Sequence, residues 1–131
     1  MYLLDSDIWI FSLRGHAKVA ENLAAHAADP KAMSVISYGE LLYGAMKSAR
    51  PVENAARVRR VGELFPVIDV TTPIVETFGT LKVEMERQGG RVDDFDLLIA
   101  STAIHLSYTL VTNNERHFRS IPGLAIENWA K

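Results

Sequence analysis

Tyr2-Leu3-Leu4-Asp5-Ser6-Asp7-Ile8 carries the clearest fold signal in the chain. Three apolar residues give way to three whose short side-chain oxygens accept backbone N–H groups at a helix start. The pattern predicts a strand, a turn and a helix. The same alternation returns downstream. A helix is expected over Ala17 to Ala28, closed by Asp29-Pro30, because the residue before proline is pushed out of the helical region. Ala32-Met33-Ser34-Val35 reads as a brief strand. Ser37 then caps the next helix in this reading, with Glu40 three residues later completing a capping box. That helix runs through Leu41, Leu42, Tyr43 and Met46.

Pro51 suits the first position of another helix, which ends before Pro66. Val67-Ile68-Asp69-Val70 has the β-branched content of a strand. Thr72-Pro73 opens a helix ending at Gly89-Gly90. Asp93 or Asp94 caps a helix with its body from Phe95 to Leu106. Tyr108 to Val111 reads as a buried strand, followed by the polar turn Thr112-Asn113-Asn114. A short helical segment from Glu115 to Phe118 and a strand at Ala125-Ile126 complete the pattern. Short strands alternating with helices indicate an α/β/α sandwich around a mostly parallel sheet. One domain over residues 1–131 is expected, with Gly89-Gly90 a loop inside it.

Composition narrows the function classes. The chain has 131 residues, 48% hydrophobic and 23% charged, the profile of an ordinary globular protein. It has no cysteine, which excludes disulfides, thiolate zinc sites and cysteine nucleophiles. No apolar run approaches the roughly 20 residues needed to cross a bilayer, and no signal-peptide pattern is present. A cytoplasmic protein without membrane contact is the expectation. A net charge of -2 does not announce a nucleic-acid binder. Even so, Lys47, Arg50, Arg57, Arg59 and Arg60 lie close together, a pattern that a solvated helix face also explains. His16, His26, His105 and His117 show no metal-ligand spacing and are expected at or near the surface. Trp9, Phe11, Phe95 and Trp129 are expected as core or dimer contacts, not as platforms for bases.

The acids carry the chemistry. In open parallel sheets, sites form outside the carboxyl ends of the strands. Asp5 follows the first strand directly, although helix capping alone also explains an acid there. Asp96 lies among Ile99, Ala100 and Ala103 on its helix, with no Lys or Arg one turn away. A carboxylate so placed needs a partner or takes up a proton, while a position in the first turn after an Asp93 cap is the simpler account. Glu40 shares a helical stripe with Ile36, Tyr43 and Gly44, and Gly44 leaves space beside it at a cost in helix propensity. Were the three carboxylates to converge, they would repel one another. A hard divalent cation resolves that conflict, since Mg²⁺ and Mn²⁺ favour carboxylate and water oxygens. Such a site supports phosphodiester hydrolysis.

These residues resemble a known family. Leu3-Leu4-Asp5-Ser6-Asp7-Ile8, then Ser37-Tyr38-Gly39-Glu40-Leu41 with Tyr43-Gly44, look like the first two motifs of PIN-domain nucleases, and Asp96 with Ile99-Ala100 like the third. Val111-Thr112-Asn113-Asn114, Phe118, Ile121-Pro122-Gly123-Leu124 and Glu127-Asn128-Trp129 resemble the C-terminal part of VapC-type toxins. The ordered set covers essentially the whole chain. The resemblance implies a PIN-like α/β/α sandwich and a Mg²⁺- or Mn²⁺-dependent endoribonuclease, the toxin of a type II toxin–antitoxin pair. Under it, Asp5, Glu40 and Asp96 are the catalytic, metal-binding acids. Ser6 supports the first acid, and Thr112 and Asn114 are supporting residues. Asn114 stands where many members carry a fourth acid, and Asp7 replaces a more usual asparagine. The resemblance further implies a homodimer, a VapB-type antitoxin whose tail enters the groove, and a tRNA substrate. Lys47, Arg50 and Arg91 are its candidate RNA contacts.

Three rivals compete. A receiver-like signalling domain would use Asp69 and Thr112, but needs a Lys after the last strand, where Ile126-Glu127-Asn128-Trp129 has none. It would also need Asp69 at a strand end, whereas Val70 suggests a position within one. A haloacid-dehalogenase-like phosphatase would use Asp5 and Asp7 and leave Glu40 without a role. A catalytically silent PIN module acting through antitoxin or RNA binding is the third.

Overall fold

The computed structural model describes residues Met1–Lys131. β1 (Tyr2–Leu4) passes through Asp5 straight into α1 (Ser6–Leu13). Asp5 is extended, with φ -71 and ψ 161, and its Oδ1 accepts the Ser6 N–H, so it caps the helix it introduces. There follow α2 (Ala17–Ala25), β2 (Lys31–Ser34), α3 (Val35–Met46), α4 (Pro51–Leu64) and β3 (Val67–Ile68). The chain continues through α5 (Thr72–Arg87), α6 (Asp94–Leu106), β4 (Thr109–Val111), α7 (Glu115–Phe118) and β5 (Ile126–Glu127).

The five strands form one sheet in the order β3-β2-β1-β4-β5, and every pairing is parallel. Parallel neighbours need long crossovers, which the helices supply. Successive strand residues face opposite sides, and β1 feeds a core on each. Leu4 packs with Ile8, Trp9, Val19, Met33 and Val58 on one side. Leu3 packs with Leu81, Leu97, Ile99, Leu110 and Phe118 on the other. The result is the expected α/β/α sandwich. From β1 the chain builds outward through β2 to β3, then returns to the other side of β1 for β4 and β5. The order therefore reverses between β1 and β4. At such a reversal, crossovers diverge and leave a crevice at the carboxyl ends of the two strands. Asp5 and Thr112 are the residues that follow those two strands.

Several elements differ from expectation. The capping box at Ser37 does not form. Ser34 caps α3, its Oγ accepting the Ile36 N–H at 3.1 Å, because β2 runs into α3 without a linker and Val35 is already helical. Ser37 is buried inside the helix, and its hydroxyl has no partner. α2 stops at Ala25, before the expected Ala28. β3 ends at Ile68, so the exposed Asp69 lies beyond the strand and not within it. Of the two candidate caps of α6, Asp93 is the one used, accepting the Phe95 N–H at 3.1 Å. Trp9 and Trp129 are core residues and the partly buried Phe11 packs against the same core, but Phe95 is 53% exposed and is no core residue. No helix is long and apolar enough to cross a membrane.

Candidate active site

Asp5 is 3% exposed, and both of its carboxylate oxygens are engaged. Oδ1 accepts the Ser6 N–H at 2.8 Å, and Oδ2 accepts the Thr112 hydroxyl at 2.9 Å. These two bonds favour the anion. Burial disfavours it more strongly, and the charges of Asp7 and Glu40 add to the penalty, so the Asp5 carboxyl is pushed up to about 7. No cation offsets that penalty.

Glu40, on α3, is half-buried and accepts the Ser6 hydroxyl at 3.3 Å, a long bond. Burial raises its pKa, Ser6 opposes the rise, and Asp96, Asp93 and Asp7 reinforce it. Ser6 therefore bridges two acids, its N–H on Asp5 and its O–H on Glu40. The hydroxyl expected to support Asp5 serves Glu40, and Thr112 supplies the one that Asp5 receives.

Asp96 sits in the first turn of α6. Its pKa is raised by burial, with Asp93 adding to the rise and His117 opposing it. His117 Nδ1 stands 3.2 Å from Asp96 Oδ2. His117 was expected near the surface without a role, and Asp96 has no cationic partner within a turn of its own helix. The two meet only because α7 folds back over the start of α6. Asp7 is a second addition. Its Oδ2 accepts the Asn113 N–H at 2.9 Å, while its Oδ1 is buried with no partner, and burial raises its pKa. Asn114 is exposed, and its N–H donates to Thr112 Oγ1 at 3.0 Å.

The predicted basic contacts are scattered. Lys47 lies over the Tyr43 ring at 5.2 Å, and Arg50 pairs with Glu53 at 3.4 Å. Arg91 lines a hollow with Lys82, Glu86, Asp93 and Asp94. The cavity beside Glu40 carries two arginines absent from the expected set, Arg14 and Arg57, and the latter donates to the Leu13 carbonyl. A Cβ on Gly44 would meet nothing within 4 Å, so this glycine does leave space next to Glu40.

The donor set suits a hard divalent cation. It offers carboxylate oxygens with raised proton affinity, an unpartnered buried Asp7 oxygen, and no sulfur. No three of these side chains stand close enough together to enclose an ion as they are. Carboxylates that repel one another converge only when a cation offsets the repulsion.

Comparison with known proteins gives the family. The model of the PIN domain matches residues 2–124. The chain belongs to the PIN-domain family. Among its relatives, Ribonuclease VapC2 of Rickettsia felis is 35% identical over 133 residues, covering 100% of this chain and 99% of the relative. The tRNA(fMet)-specific endonuclease VapC of Shigella flexneri is 32% identical over 130 residues, covering 98% of each chain. A crystal structure of VapBC2 from Rickettsia felis, bound to a DNA fragment from its promoter, superposes with a TM-score of 0.90 at 35% identity over 98% of both chains. In this VapC-type PIN domain, Asp5 and Asp7 stand at the junction of β1 and α1, Glu40 on α3 and Asp96 on α6, where the charges of Asp7 and Glu40 act on Asp5 and that of Asp96 acts on Glu40.

Proposed function

We propose that this VapC-type PIN domain is a Mg²⁺- or Mn²⁺-dependent endoribonuclease in which Asp5, Glu40 and Asp96 hold the metal. Its substrate in this reading is tRNA, in the cytoplasm. It acts as a homodimer, and its regulator is a VapB-type antitoxin. The observation that carries the reading is the state of Asp5, a buried carboxyl raised to about 7 with acids and no cation around it. The names of the relatives support RNA, and in one case initiator tRNA, as the substrate class. The VapBC complex supports an antitoxin partner.

The chain's own groups hold the acids in place. Thr112 Oγ1 accepts the Asn114 N–H, which directs its own proton towards Asp5 Oδ2. Ser6 fixes Asp5 through its N–H and Glu40 through its hydroxyl. His117 restrains the Asp96 carboxylate from the α7 side. When bound, a divalent cation supplies activation of the attacking water and stabilises charge on the scissile phosphate and leaving oxygen. Asn114 contributes no negative charge where a fourth acid would stand, so a second ion has fewer anionic donors.

The test is cleavage of tRNA by the purified protein. Mg²⁺ or Mn²⁺ should support cleavage and excess chelator should stop it. Asp5→Asn and Asp96→Asn should each lose activity on the order of 100-fold or more while staying folded. Undiminished cleavage in chelator would refute metal dependence. Binding of tRNA without cleavage under any cation would favour the silent module.

A further inference from the structure

α7 and the turn before it form a polar shelf against the acids, and the proposed chemistry leaves most of that shelf without a role. Asn113, Asn114, Arg116, His117, Arg119 and Lys131 line a hollow of about 310 Å³ that contains no apolar side chain. Its one acid, Glu115, is already matched, since Lys131 pairs with it at 2.7 Å and Asn128 donates to it at 2.9 Å. Arg116 and Arg119 are different. Both are exposed, and neither has a carboxylate within ion-pair distance, although the Arg119 charge acts weakly on Glu115; Arg50, Arg60, Lys82 and Arg87 each face one.

The shelf is tied directly to the acidic cluster. Asp7 accepts the Asn113 N–H, Thr112 links Asp5 to the Asn114 N–H, and His117 meets Asp96. A strand whose phosphate lies among these acids has α7 directly beside it. The need for cations there is physical. Asp7, Asp93 and Glu40 repel the phosphates that flank the scissile one, and a chain of net charge -2 offers no general attraction. Arg119 is the C-cap of α7 and keeps helical backbone angles, three residues after Arg116; residues so spaced have Cβ atoms about 5–6 Å apart, the scale of neighbouring phosphates on a strand. Their planar forks donate two hydrogen bonds to one phosphate.

We propose that Arg116 and Arg119 form a phosphate-binding track that holds the RNA strand beside the scissile position. This rests on the nuclease reading of the adjacent acids.

The experiment compares Arg116→Gln/Arg119→Gln with the charge-matched control Arg59→Gln/Arg60→Gln on α4. Binding of a labelled tRNA transcript is followed by anisotropy in chelator over a range of salt, and cleavage is followed separately in Mg²⁺. The track predicts that the slope of log affinity against log salt falls by roughly 1 to 2 in the α7 variant. KM should rise roughly tenfold with kcat within about twofold, and the control should do neither. Unchanged slope and KM in a wild type that binds and cleaves would overturn the track and leave the nuclease intact. An α7 variant that keeps RNA affinity but loses assembly with the antitoxin would assign the shelf to a protein and overturn it too. Wild type that binds no RNA overturns the track outright. A salt slope sensitive to the α7 change, with no cleavage under any cation, would sustain the track and refute the nuclease.

Discussion

Asp5 receives two hydrogen bonds that favour its anion, yet burial and two neighbouring carboxylates still hold its proton to about 7. Thr112 is the more exacting of the two donors, because its hydroxyl is buried and no water can replace it. Thr112→Val keeps the shape and removes the O–H. Cleavage should fall roughly 10–100-fold, as for other residues that orient a metal ligand, and Thr112→Ser should keep most of it. Equal rates for the valine and serine variants would contradict this role. The acids were singled out in sequence because each has a local signature, at a strand end, beside a glycine or in an apolar helical sector. Their partners have no such local signature: Thr112 entered only as a supporting residue through the family resemblance, and His117 was given no role. Thr112 lies 107 residues from Asp5, and His117 lies 21 residues from Asp96. No periodicity links positions so far apart; only the sheet order and the return of α7 join them.

The start of α3 shows the limit of pattern reading for elements. Ser37 with Glu40 satisfies the capping-box spacing, and Ser34 lacks it, yet Ser34 is the cap. Strand pairing decides the matter, since Ser34 is the last residue of β2 to pair, with Ile68, and the chain turns immediately afterwards. Two substitutions separate the serines. Ser34→Ala should destabilise the protein by about 1 kcal/mol through loss of the cap. Ser37→Ala should be neutral or slightly stabilising, because it removes a buried hydroxyl that lacks a partner. Urea unfolding of both variants checks this, and a larger loss for Ser37→Ala would restore the capping box. The helices were broadly legible from apolar periodicity and proline or glycine stops. Strand ends were less so, because β3 and β5 have two residues each and carry little pattern.

At the scale of the molecule, the alternation of strands and helices announced a parallel α/β sandwich, but not the strand order that sets the crevice between β1 and β4. That crevice gathers like charges, and the fold bears the consequence. Folded Asp5 holds its proton to about 7 against an ordinary 3.8, and Asp7, Glu40 and Asp96 are raised as well. A carboxyl raised on folding contributes stability that is complete below its unfolded pKa and is lost as pH climbs to the folded value. Without metal, melting temperature should therefore fall between pH 4 and pH 8, and the fall should be shallower in Asp5→Asn. A divalent cation held by the ionised acids, as proposed, should reverse the loss most at high pH. The most direct test of the proposed metal site is the melting temperature at pH 8 of the wild type and Asp5→Asn, each with and without Mn²⁺. Asp5→Asn should melt above the wild type without metal and gain little from Mn²⁺, while the wild type should gain several degrees. Equal gains in the two proteins would contradict a metal site built on Asp5.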